Sequence, residues 1–71
     1  MKKLGQKLRI LRKREGLTQT QLADMLEVDH THVGKMERGE RVPSLEILIK
    51  VTQIFNVSAD TLINDDLELD D

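Results

Sequence analysis

Apolar residues recur along most of this chain at intervals of three and four positions, the spacing of an amphipathic α-helix. Leu4, Leu8 and Leu11 form the first such stripe, which predicts a helix over residues 2–14 that ends at Gly16. No segment alternates apolar and polar residues for long enough to predict a strand. The pattern therefore predicts an all-α fold.

Two short helices with a three-residue turn between them come next. Thr18 and Gln21 have the spacing of a capping box, which predicts a second helix that begins after Thr18 and ends near residue 26. Asp29 is then a suitable N-cap for a third helix over residues 30–37. Two helices joined by so short a turn are typical of a helix-turn-helix unit.

The third helix is predicted to have an inner and an outer face. The small side chain of Ala23 allows the second and third helices to cross closely, with apolar residues buried between them. These inner residues are Leu22, Leu26, Val28, Val33 and Met36. The outer face carries donors with little bulk, a surface that fits the major groove of DNA. It is formed by His30, Thr31, Gly34, Lys35 and Arg38.

The fourth helix is predicted to begin after Ser44 and to run to Phe55. Apolar residues surround most of its girth and leave a single polar line, formed by Glu46, Lys50 and Gln53. The pattern predicts that this helix is the central and most buried one.

The last predicted helix begins at Ser58 and ends at Ile63. Residues 1–63 are expected to form one domain, and residues 64–71, with five acids among eight residues, are expected to be a disordered tail. The apolar residues near this end allow two interpretations, a self-association surface or a frayed end with scattered leucines. They are Ile54, Val57, Ile63, Leu67 and Leu69.

Charge is divided unequally along the 71 residues, although the net charge is only -2. Residues 1–41 hold ten Lys and Arg against six Asp and Glu, or +4, whereas residues 42–71 hold one Lys against seven acids, or -6. A basic half and an acidic half indicate one face for an anionic partner.

Several classes of function are disfavoured by what the sequence lacks. Without cysteine there is neither a disulfide nor a thiolate ligand, which is typical of a reducing compartment such as the cytoplasm. The sequence contains no run of 18 apolar residues, so no membrane span is predicted. His30 and His32 point apart on a helix, so no metal site is expected. We also expect no enzymatic activity and no cofactor, because so small a core offers no nucleophile, phosphate loop or paired-carboxylate pocket.

Residues 17–43, with the sequence LTQTQLADMLEVDHTHVGKMERGERVP, resemble the Cro/Xre-type helix-turn-helix of phage repressors and bacterial regulators. The segments on either side also match this pattern, so that the resemblance covers nearly the whole chain. It implies a five-helix bundle like that of lambda repressor, which binds operator DNA as a two-fold homodimer with the third helix in the major groove.

The resemblance also implies roles for individual residues. The residues expected to read base edges are His30, Thr31 and Lys35. The residues expected to hold phosphates are Gln19, Arg38, Arg41 and Ser44, together with the first backbone N–H groups of the fourth helix. Arg12 and Glu37 match a structural ion pair that ties the first helix to the end of the third.

Four positions depart from the family pattern. Glu27 stands where glycine is common, and a positive φ there would cost about 1 kcal/mol. Asp29 places a second carboxylate near the DNA, Gly34 lies inside the third helix, and Thr52 replaces a common alanine on the fourth. Together these departures predict modest affinity for DNA and a marked dependence on salt.

The sequence therefore predicts a transcriptional regulator, most simply a repressor that binds double-stranded DNA of pseudo-palindromic sequence. An antitoxin-like or adaptor module that binds a regulatory protein partner, without an operator of its own, is the alternative. The two differ in the salt dependence of binding, which is steep only for DNA.

Overall fold

Five helices make up the regular structure of residues 2–69, which are the residues that this computed structural model describes. They are α1 (Leu4–Arg14), α2 (Gln19–Leu26), α3 (His30–Glu37), α4 (Leu45–Phe55) and α5 (Ala59–Ile63). No strand occurs within this range. The predicted all-α, five-helix fold is confirmed.

Local hydrogen bonds explain why the helices begin where the sequence predicted. The Thr18 hydroxyl accepts from the backbone N–H of Gln21 at 3.0 Å, and the Gln21 side chain accepts in return from the Thr18 N–H at 2.8 Å. This is the predicted capping box. Asp29, Ser44 and Ser58 cap α3, α4 and α5, each with a side-chain oxygen that accepts from one backbone N–H in the first turn.

The core is built from aliphatic side chains and one methionine. All five helices contribute to it, and the most extensive packing between two helices is that of α2 on α3. Ala23 lies buried within the core, as expected for the residue at the helix crossing. The buried apolar residues are Leu4, Leu8, Leu11, Leu22, Ala23, Leu26, Val33, Met36, Ile47, Val51 and Leu62.

The prediction that α4 is the most buried helix is wrong. Only Ile47 and Val51 are buried, whereas Leu45 remains 73% exposed and Ile49 49% exposed. The bundle covers one side of α4 and leaves the other without a neighbour among residues 2–69, which the apolar pattern alone does not reveal. Thr52 lies half-buried, and its hydroxyl donates to the Ile49 carbonyl at 2.6 Å.

Helix α1 passes very close to the end of α3. A Cβ atom on Gly5 would lie 2.5 Å from the carbonyl oxygen of Met36 and 2.6 Å from that of Glu37. Such contacts are too short for any side chain, so glycine is required where the two backbones meet. The C-terminal end of α3 is thereby placed against α1.

Lys7 is a buried cation on α1. Its Nζ donates to three backbone carbonyls, those of Thr61 at 2.6 Å, Asn64 at 2.9 Å and Leu67 at 2.6 Å. The ammonium group therefore supplies donors to the end of α5 and to the turn that follows it.

Residues 64–69 continue the packing of the domain, so the predicted boundary at residue 63 and the disordered tail do not describe them. Asp65 accepts hydrogen bonds from the backbone N–H groups of Lys2 and Lys3, both at 2.9 Å. These bonds lower the pKa of Asp65 to about 2. Leu69 packs against the core, as do Ile54 and Val57.

Two predictions for this end of the chain are thereby revised. Of the suggested self-association residues, Ile63 and Leu67 are the exposed ones, because the other three pack on the core. The last two acids of the predicted tail, Asp70 and Asp71, lie outside the described residues. The acidic composition of residues 64–69 did not reveal that they are ordered, because their order depends on donors far away in the sequence. The backbone N–H groups of Lys2 and Lys3 bind the Asp65 carboxylate, and Lys7 binds the carbonyls nearby.

Replacing Lys7 with methionine tests this connection between the two ends of the domain. Lys7→Met keeps the apolar stem but removes the ammonium donor from three carbonyls, of which that of Asn64 retains the Leu67 N–H, so we expect the free energy of unfolding to fall by about 2 to 3 kcal/mol. Lys13→Met, at an exposed position of the same helix, should change it by less than about 0.5 kcal/mol. Urea unfolding followed by circular dichroism measures both, and equal effects would show that the buried hydrogen bonds contribute nothing.

Candidate nucleic-acid interface

The outer face of α3 is exposed and rests on a buried inner face. His30, Thr31 and Lys35 are exposed, while Val33 and Met36 beneath them are buried in the core. Thr31 and Lys35 are four positions apart and are neighbours on the helix surface. The three residues predicted to read bases therefore lie at the surface of a helix that the core holds in place.

Asp29 limits what Thr31 can offer to a ligand. One carboxylate oxygen of Asp29 accepts from the Thr31 backbone N–H at 3.0 Å and from the Thr31 hydroxyl at 3.1 Å. These bonds lower the pKa of Asp29. Nδ1 of His30 lies 3.5 Å from the same oxygen. Because the hydroxyl hydrogen is engaged, Thr31 presents its methyl group and an acceptor oxygen.

Gly34 is buried, contrary to the prediction that it belongs to the outer face. A Cβ atom on Gly34 would lie 3.1 Å from Nη1 of Arg38 and 3.4 Å from Oε1 of Gln19. The side chains of Arg38 and Gln19 thus extend over the bare backbone of Gly34. The glycine allows a residue of α2 and the residue that ends α3 to meet there.

The predicted ion pair between Arg12 and Glu37 is present and buried. The Nε of Arg12 donates to Glu37 Oε2 at 2.6 Å and its Nη2 donates to Oε1 at 3.1 Å, with side chains 10% and 3% exposed. A third donor, Nη1, binds the Leu17 carbonyl at 2.8 Å. Gln19 also donates to Glu37 Oε1, at 3.2 Å. One carboxylate therefore connects α1, the start of α2 and the end of α3.

The residues predicted to hold phosphates lie near this ion pair or in the loop that follows α3. The Arg38 side chain is 58% exposed and donates through Nε to Glu40 at 2.5 Å. This contact raises the pKa of Arg38 and lowers that of Glu40. Arg41 is exposed, and Ser44 accepts from the backbone N–H of Ile47 as the N-cap of α4.

Arg9 belongs to the same surface but was not among the predicted site residues. It lines a cleft between α1 and the helix-turn-helix unit together with the ion pair, Gln19 and Arg38. Its spacing from Arg12, three positions along α1, places both on one face of that helix. That spacing is the signal by which Arg9 could have been found.

Glu27 adopts the strained conformation that its position predicted, with φ at 60°. Its carboxylate accepts from Nζ of Lys50 at 2.8 Å, which lowers the pKa of Glu27 and raises that of Lys50. The left-handed backbone costs about 1 kcal/mol for a residue other than glycine. The acid in the turn is thus paired with a cation of α4.

Neither a metal cluster nor a membrane span is found in the part of the chain that the structure describes. No group of three or more His, Cys, Asp or Glu side chains in residues 2–69 is placed to hold a metal ion. No helix in that range is long and apolar enough to cross a bilayer.

Comparison with known proteins gives matches along most of the chain. A family model described as helix-turn-helix matches residues 8–62. The chain is 33% identical, over 89% of its length, to the transcriptional regulator ImmR of Bacillus subtilis, and it spans half the length of that protein.

Two solved structures have the same fold. The N-terminal DNA-binding domain of SinR from Bacillus subtilis superposes with a TM-score of 0.82 at 29% identity, covering 96% of this chain and 100% of that domain. The restriction-modification controller protein C.AhdI from Aeromonas hydrophila superposes with a TM-score of 0.77 at 37% identity, covering 87% of this chain and 94% of the controller.

Glu37→Gln tests how strongly the buried ion pair holds this surface together. The substitution keeps the shape but leaves the Arg12 guanidinium buried without a counter-charge, so we expect the free energy of unfolding to fall by about 3 kcal/mol. Glu40→Gln makes the same chemical change in an exposed ion pair and should lower the free energy of unfolding far less, because solvent screens exposed charges. Thermal and urea unfolding of both variants provide the comparison. A small effect at both positions would contradict a structural role for the buried pair.

Proposed function

This chain belongs to the Cro/Xre-type helix-turn-helix family, and on that premise we propose that it regulates transcription by binding operator DNA. The family consists of DNA-binding regulators and not of enzymes. In the proposed complex α3 enters the major groove, most simply as part of a repressor that occupies promoter DNA in the cytoplasm.

The observation that carries the proposal is the exposed polar face of α3. The major groove is about 12 Å wide and admits an α-helix. Because Val33 and Met36 are buried below it, the helix can present His30, Thr31 and Lys35 without rearranging the core. Preorganisation of this kind favours binding, since no ordering of the helix has to accompany it.

Each of these three side chains can recognise a feature of a base pair. Lys35 can donate to O6 and N7 of guanine, and His30 can donate to a purine N7 or to a phosphate. The methyl group of Thr31 suits the methyl group of thymine, because Asp29 already accepts its hydroxyl hydrogen. Which base each residue reads depends on the docking angle.

Phosphate contacts would surround this face. Gln19 and Arg38 lie at one edge of it, over Gly34, and Arg41 and Ser44 lie in the loop and at the start of α4. The first N–H groups of α4 add a partial positive charge. The excess of cations in residues 1–41 favours approach of a polyanion to this part of the molecule.

A homodimer would allow two copies of α3 to read one pseudo-palindromic operator. Two-fold symmetry places half-sites about 34 Å apart, one helical turn of DNA. Exposed apolar side chains on α4 and near the end of the described chain support self-association. They include Ile49, Ile63 and Leu67.

The salt dependence of binding distinguishes DNA from a regulatory protein as partner. If a dimer neutralises about eight phosphates, the slope of log K against log salt should be near -7. DNA from upstream of the protein's own gene, studied by gel shift and footprinting over a range of salt concentrations, is the first ligand to measure. Failure to bind duplex DNA at low salt, or a nearly flat slope, would favour the alternative of a protein-interaction module.

Lys35 and Arg41 should contribute to binding in different ways. Lys35→Ala should weaken specific binding by about 1 to 3 kcal/mol and leave non-specific binding nearly unchanged, because Lys35 is expected to contact a base. Arg41→Ala should weaken both, because phosphates are present in every sequence. Competition assays with operator and mixed-sequence duplexes measure the two affinities. If Lys35→Ala lowered both affinities equally, its assignment to a base would be wrong.

A further inference from the structure

Glu40 occupies a position fixed by the way α3 ends. Gly39 has φ at 77°, its N–H donates to the Met36 carbonyl at 3.1 Å, and the Glu40 N–H donates to the Lys35 carbonyl at 2.9 Å. This pair of bonds is a Schellman motif, in which glycine takes the left-handed position and the next residue is held against the last turn. The backbone of Glu40 is therefore not a loose part of the loop.

The guanidinium of Arg38 lies over Gly34 and is bound by Glu40. Its Nη1 lies over Gly34 beside the amide of Gln19, and its Nε donates to the carboxylate of Glu40 at 2.5 Å. Both side chains of the ion pair remain more than half exposed, at 58% and 54%. The contact thus forms at the edge of the candidate DNA surface and within reach of a ligand.

Carboxylate and phosphate oxygens compete for the same donors. Both are anionic acceptors that bind a guanidinium through short, charge-assisted hydrogen bonds. A phosphate that approaches Arg38 therefore finds Glu40 already bound to its Nε.

We propose that Glu40 is an internal competitor for the DNA phosphate at Arg38. In the free protein its carboxylate occupies Nε of the guanidinium in place of a phosphate, and DNA gains the hydrogen bond from Nε only when the ion pair opens. The inference rests on the proposed function. It assigns to Glu40 the role of lowering affinity for all DNA sequences alike, since the competition concerns a phosphate and not a base.

Two other acids near α3 differ from Glu40 in this respect. Asp29 caps α3, so its carboxylate has a structural task. Glu27 binds Lys50, which is not among the residues proposed to contact DNA. Of these three acids, only Glu40 forms an ion pair with an arginine that is proposed to hold a phosphate.

The test measures how tightly each variant binds a fluorescent mixed-sequence duplex of about 30 base pairs, by anisotropy at several salt concentrations. Glu40→Gln keeps the size of the side chain and removes its charge, so we expect about three- to tenfold tighter binding. Glu15→Gln makes the same change in net charge at the far end of α1, and its effect should be less than about twofold, because distant exposed charges are screened.

A second set of variants asks whether the effect acts through Arg38. In an Arg38→Gln background, Glu40→Gln should lose its advantage over Glu15→Gln. With Arg38 present, Glu40→Gln should also steepen the slope of log K against log salt by up to about 0.9, the contribution of one additional phosphate. A merely structural effect of the substitution would not change this slope. Circular dichroism of each variant verifies that the helices are intact.

The outcomes separate this inference from the proposed function. If the wild-type protein binds the duplex and Glu40→Gln binds no tighter than Glu15→Gln, Glu40 is not a competitor and the regulator function stands. An advantage that persists without Arg38 also overturns the inference. If no variant binds duplex DNA at low salt, the proposed function and the inference fail together.

Discussion

The buried ion pair between Arg12 and Glu37 is the interaction on which the candidate surface depends. Two charged groups inside so small a core are tolerated because each is bound by the other and by further hydrogen bonds. The Glu37 carboxylate receives donors from α1 and from α2, while it belongs itself to the last turn of α3. The end of α3, and with it the position of Arg38, is therefore fixed by polar contacts as well as by apolar packing.

Cations of this protein fall into two groups that the sequence does not distinguish. Lys7 and Arg12 are buried, and their donors bind backbone carbonyls and a carboxylate inside the domain. Lys35, Arg38 and Arg41 are exposed, at the end of α3 and in the loop that follows it. A count of charges in the basic half thus overstates the charge that an anionic partner can contact. The arrangement of the exposed cations, and not their number, indicates such a surface.

How much could be predicted from the sequence depends on how local each interaction is. Helix boundaries were predicted closely because caps such as Thr18 and Asp29 act within three residues. The ion pair was predicted only through the family resemblance, since its partners lie 25 positions apart. Three features were not predicted: the exposed side of α4, the hydrogen bonds of Lys7 to three carbonyls, and the side chains that lie over Gly34. Each depends on which elements meet in space.

The acids around α3 alter the expectation that departures from the family pattern weaken DNA binding. Glu27 and Asp29 were expected to repel phosphates, yet both carboxylates accept hydrogen bonds from groups of the protein, and that of Glu27 is paired with a cation. A charge that is already paired with an internal cation exerts a weaker field on an approaching anion than an isolated one does. Glu40 is different, because it engages the guanidinium of Arg38, which is proposed to hold a phosphate of the DNA. If the chain binds DNA as proposed, the strength of binding depends less on how many acids lie near α3 than on which donors those acids already engage.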